Sequence, residues 1–133
     1  MLPDFIFHHI GIATKNINKT AKYYLDAGFL ITKEIIDPIQ KVKIVFLTKD
    51  SMPRVELLEP YEDNSPVSKI LEKSGVSPYH ICYEVNDIDL SISELKKKRF
   101  IPLFKPVNAI ALNNRLICFL YNNDVGLIEI LQK

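Results

Sequence analysis

Apolar and polar residues alternate along residues 7–13 and again along residues 79–85, the two-residue period of strands with one buried face. A helical period follows each run, over residues 18–27 and 90–98. Asn16 and Asp87 stand where chain-to-helix turns favour a short polar side chain, and Gly28 is placed to end the first helix. Three further strands are predicted in each half: residues 30–36, 41–48 and 54–59, then about 101–104, 115–121 and 126–131. Asn122, Asn123 and Asp124 make a turn before the last strand.

The two halves carry one pattern. Shifting the first half by about 71 residues lays His9 on His80, Ile17 on Ile88 and Phe29 on Phe100. By the middle strands the shift is about 73, laying Phe46 on Phe119 and Glu56 on Glu129, so a longer loop is expected between Leu103 and Arg115. The expectation is one domain over residues 1–133 made of two βαβββ modules, 5–60 and 78–133. The connector, 61–77, holds a short helix over 66–73 capped by Ser65.

Alternation places His9, Gly11 and Ala13 on one face of the first strand, and His80, Cys82 and Glu84 on the matching face of its repeat. In the last strands Glu56 and Glu129 oppose apolar neighbours. Charged glutamates are costly to bury unless paired or coordinated. Imidazole nitrogen and carboxylate oxygen together suit a divalent transition metal. Two histidines and two glutamates leave room for water in a six-coordinate site, so Ni, Co or Zn is expected, with Mn or Fe as further candidates. His9 is preferred over His8 because it repeats as His80.

Composition changes this picture little. Hydrophobic residues form 47% of the chain, charged residues 25%, and the net charge is +1, which argues against a nucleic-acid partner. The basic run Lys96-Lys97-Lys98-Arg99 reads as a helix end. No apolar run is long enough for a membrane helix, and no signal peptide is read at the start. Two cysteines, Cys82 and Cys118, without a CxxC, fit a reduced, cytoplasmic setting.

The segments HHIGIA (8–13), VELLEP (55–60), SPVSKILEK (65–73), YHICYEVNDID (79–89) and GLIEILQ (126–132) resemble the vicinal oxygen chelate superfamily, also called the glyoxalase/bleomycin-resistance superfamily. Their phrasing is similar to methylmalonyl-CoA epimerases. The set His9, Glu56, His80 and Glu129 resembles the metal ligands of bacterial glyoxalase I, lactoylglutathione lyase. The resemblance implies an α+β fold: an open, U-shaped mixed β-barrel with flanking helices, usually in a homodimer. It implies a metal acting as Lewis acid on a carbonyl beside an acidic carbon, through an enediolate or enolate, and gives Glu129 the role of base.

Two departures stand out. The stretch before the penultimate strand, 106–114, has no glycine, whereas the epimerases have a glycine-rich one. Tyr121-Asn122 replaces their histidine-proline pair. No second base for epimerisation is evident among Asp37, Lys43, Tyr83 and Glu84; Cys82 and Lys43 remain weak substrate-binding candidates. The leading expectation is therefore a glyoxalase I-like lyase acting on a thiol hemithioacetal of a 2-oxoaldehyde. The alternative is an epimerase of methylmalonyl-CoA or a related 2-acyl-CoA thioester. A ring-cleaving dioxygenase and a non-catalytic binding protein rank lower.

Overall fold

A computed structural model describes residues 1–133. The chain forms β1 (Ile6–Ala13), α1 (Ile17–Asp26), β2 (Leu30–Ile31), β3 (Ile35–Asp37), β4 (Val42–Thr48), β5 (Val55–Pro60) and α2 (Pro66–Ser74). It continues through β6 (Ser77–Val85), α3 (Ile88–Lys97), β7 (Ile101–Pro102), β8 (Val107–Ala109), a 3-10 turn (Ile110–Leu112), β9 (Arg115–Asn122) and β10 (Gly126–Gln132). Contacts divide it into two compact units: His9–Tyr79, and Met1–His8 with His80–Lys133.

In the unit His9–Tyr79 the strand order is β2-β4-β5-β1, with β3 also on β4. β1 and β5 run parallel, placing Gly11 opposite Glu56; β4 and β5 run antiparallel, placing Phe46 opposite Glu56. One face packs on α1 through Ile12, Ile17, Ala21, Phe29, Val45, Leu47, Val55 and Leu57. The other unit repeats this arrangement with the order β6-β10-β9-β7 and β8 on β9. Its core joins Val85, Ile88, Leu95, Phe100, Cys118, Leu120, Ile128 and Ile130. Phe5 packs against that core and meets Tyr83 at a ring separation of 5.9 Å, so the N-terminal residues side with the second repeat.

Helices α1 and α3 start and stop alike. Asn16 Oδ1 accepts from Lys19 N and Asp87 Oδ1 from Leu90 N, each satisfying a free first-turn amide. At the other end Phe29 N donates to Tyr24 O and Phe100 N to Leu95 O, the six-residue closure of a helix end, with each phenylalanine buried. The residue before it takes a left-handed conformation, Gly28 at φ +90 and Arg99 at φ +67.

Two expectations need correction. The second strand of each repeat breaks in two. After β2, Thr32 N donates to Phe46 O while Phe46 N turns to the Thr32 hydroxyl, so a side chain substitutes for a ladder partner. After β7, the longer loop houses β8 and the 3-10 turn. The expected β-barrel is also absent: β2 pairs only with β4 and β7 only with β9, so both end strands are open edges of a mixed sheet. Each is two residues long, too short to supply the continuous pairing that closure needs.

Candidate metal centre

Each unit buries one histidine against one glutamate. In the first, β1 carries His9 and β5 carries Glu56; both are buried, with Nε2 3.3 Å from Oε1. In the second, β6 carries His80 and β10 carries Glu129, again buried, with Nε2 3.0 Å from Oε2. The pairs form because the strands are parallel neighbours. The glutamate lies opposite Gly11 in one repeat and Cys82 in the other, two positions beyond the histidine and on its face.

A phenylalanine completes each arrangement. Phe46 meets His9 edge-on at 5.4 Å, and Phe119 meets His80 at 5.0 Å. Both rings hold the imidazole from the adjoining antiparallel strand, directly across from the glutamate. Sequence alignment of the halves pairs these phenylalanines without showing their contact, because that depends on strand order.

The donor set suits a metal ion. Two ligand atoms about 2.1 Å from one ion and at right angles to each other lie about 3 Å apart, close to both separations seen here. A buried carboxylate beside an imidazole is also well served by a cation, which offsets the cost of holding the charge away from water. The structure thus contains His/Glu clusters able to take a divalent metal.

The other nominated residues divide clearly. Cys82 is fully buried on the His80 face, in register with Glu129. Lys43 lies on the helix-facing side of β4, with Val45 and Leu47, and its Nζ is 3.6 Å from Glu59 Oε2. Asp37 accepts from Ile39 N, Gln40 N and Gln40 Nε2, holding its own loop. Tyr83 packs in the core of its unit. Glu84 accepts from Arg115 Nη2, and that hydrogen bond holds its carboxyl below the usual range, which weakens it as a base. Burial pushes the Cys118 thiol up to about 11, so it stays protonated near neutral pH.

One device of the repeat was not foreseen. Glu59 Oε1 accepts from Ile17 N at 2.8 Å, and Gln132 Oε1 accepts from Ile88 N at 2.9 Å. Each acceptor stands three residues after the buried glutamate, so one strand both presents that carboxylate and anchors the helix on its opposite face. The signal was the shared Glu/Gln at that spacing in VELLEP and GLIEILQ.

This fold and these paired sites define a metal-binding enzyme class, and the chain belongs to the Glyoxalase/Bleomycin resistance protein/Dioxygenase superfamily, whose profile matches residues 8–119. Within it, the chain is 30% identical over 129 residues to the mitochondrial methylmalonyl-CoA epimerase of Homo sapiens, covering 94% of this chain and 72% of that one. It is 29% identical to the ethylmalonyl-CoA/methylmalonyl-CoA epimerase of Cereibacter sphaeroides, covering 94% and 96%. A variant of Streptomyces coelicolor methylmalonyl-CoA epimerase, in complex with 2-nitronate-propionyl-CoA, superposes with a TM-score of 0.83 at 26% identity, covering 96% of each chain.

These likenesses overturn the glyoxalase I expectation. It had rested on finding no second base and on the glycine-free stretch 106–114, and similarity spread over 129 residues outweighs those local departures. No helix is long and apolar enough to cross a membrane.

Proposed function

We propose that the protein is an epimerase of methylmalonyl-CoA or a related 2-acyl-CoA thioester, with His9, Glu56, His80 and Glu129 together holding one divalent ion. The observation that carries the reading is the 30% identity over 129 residues to a methylmalonyl-CoA epimerase, in a chain whose two repeats each bury a His/Glu pair. Nickel, cobalt and zinc suit the donors, as do manganese and iron. When bound, the ion supplies positive charge that stabilises the negative charge developing on the thioester carbonyl oxygen.

The protein's own groups do the rest. Glu129 takes the proton from the carbon between the two carbonyl groups; the C–H bond breaks and its electron pair moves toward the thioester oxygen. A proton delivered from solvent water to the opposite face would re-form the C–H bond and invert the centre, which is why deuterium is the readout. Phe46 and Phe119 hold the imidazoles and keep water from the edges they cover.

The test is incubation of methylmalonyl-CoA in heavy water with metal-stripped protein, alone and resupplied with each ion. Deuterium should enter at C2 and the two epimers should equilibrate only in resupplied samples. Absence of both with metal demonstrably bound would overturn the reading.

A further inference from the structure

One cavity is lined by none of the four His/Glu residues. It has a volume of about 520 Å³ and sits where α3 meets the chain leaving β7. α3 contributes Asp89, Ile92, Ser93 and Lys96; the strap after β7 contributes Phe104 and Lys105. The volume lies within the usual range for small-molecule sites.

The lining combines three chemistries. Two ammonium groups, Lys96 and Lys105, and the Ser93 hydroxyl suit a phosphate ester. Phe104, exposed and beside two prolines, offers a flat apolar surface to a purine. Asp89 is acceptor-only when ionised, which suits an exocyclic amine or a ribose hydroxyl. Phe104 also ties this cavity to the buried pair of the same unit. Its ring lies 6.0 Å from Phe119, whose ring lies 5.0 Å from His80.

We propose that this cavity binds an adenosine phosphate, and that in a coenzyme A thioester it receives the nucleotide end while the acyl end lies at the His/Glu site. The second clause rests on the epimerase reading; the first stands on the cavity alone. Such a thioester keeps its phosphates far from its acyl group along the pantetheine arm, so a cationic pocket separate from the His/Glu site suits that substrate.

The probe is adenosine 3′,5′-bisphosphate, titrated calorimetrically into wild-type protein and into the double variant Lys96→Gln/Lys105→Gln. Both lysines are exposed, so the fold should tolerate the change. Binding should weaken about tenfold or more in the variant, as expected for lost hydrogen bonds to a charged group, and inorganic phosphate should bind more weakly than the bisphosphate. Equal affinity of the two proteins, no binding to wild type, or inorganic phosphate binding as tightly would each overturn the proposal. Deuterium exchange at C2 separates the two readings. Exchange without lysine-dependent nucleotide binding removes this inference alone. Lysine-dependent binding without exchange upholds the nucleotide site and removes the epimerase.

Discussion

The two repeats perform the same backbone tasks with different side chains. Helix α1 takes its long-range N-terminal acceptor from Glu59, a carboxylate also 3.6 Å from Lys43; α3 takes its from Gln132, a neutral amide that donates onward to Asn86 O. The left-handed residue closing the helix is Gly28 in one and Arg99 in the other. Beside the buried glutamate stands Gly11 in one and Cys82 in the other. What stays constant is the carbonyl-type oxygen for an unpaired amide, the buried phenylalanine after the helix, and the His/Glu/Phe contact. Those meet requirements of backbone hydrogen bonding and of the proposed ion, which tolerate few chemistries, whereas the neighbouring positions need only suitable size.

The largest expected effect tests whether the repeats act jointly. If one ion is shared, His9→Ala and His80→Ala should each empty the protein of metal by elemental analysis and lower exchange by at least about 10²-fold. An ion retained in His9→Ala would mean that the repeats bind separately. The two glutamates should then differ: Glu129→Gln should lose far more rate than metal affinity, while Glu56→Gln should lose them together. Equal behaviour of the two would remove Glu129 from the role of base.

Core truncation compares the repeats as folding units. Leu57 and Ile130 are repeat-related and fully buried, so Leu57→Ala and Ile130→Ala should each cost about 2–5 kcal/mol in urea denaturation. A large imbalance would show that one unit collapses around a cavity better than the other.

A smaller effect concerns helix closure. A non-glycine residue in the left-handed region costs about 1–2 kcal/mol, so Arg99→Gly should raise the melting temperature and Gly28→Ala should lower it. Unchanged stability in both would indicate that neighbouring contacts, not backbone strain, set these positions.

The smallest effect concerns Glu84 and Arg115, a pair confined to the second repeat. Because the folded state lowers the Glu84 pKa, its stabilisation is present above the unfolded carboxylate pKa and is lost as pH falls through the lowered folded value. Arg115→Met should therefore be less stable than wild type near pH 7, by no more than about 1 kcal/mol for a partly exposed pair, and should converge with it in acid. A difference that persists in acid would assign the effect to the Arg115 Nε bond to Gln132 O instead.

Much of the fold was legible because it rests on local rules. Asn16 and Asp87 announced helix starts, and strand alternation placed His9, His80, Glu56 and Glu129 on buried faces. Legibility failed where a residue's partner was distant in sequence. Lys43 could not be assigned to a face until Val45 and Leu47 were seen against α1. Glu84 was one of four candidates with no evident role as a base in the sequence, and its partner Arg115, thirty-one positions away, showed only in the structure.

The sequence by itself determined the period of each element, which depends on residues within a few positions of one another, and the repeat, which shows as matching segments about 71 to 73 positions apart; it also nominated His9, Glu56, His80 and Glu129. Tertiary structure decided that β1 lies parallel to β5 and β6 to β10, bringing each imidazole nitrogen within about 3 Å of its carboxylate. It also decided that the sheet ends in open two-residue strands. Strand neighbours are selected by long-range packing against each helix and by the entropy of closing the intervening loops, terms that no short stretch of sequence contains.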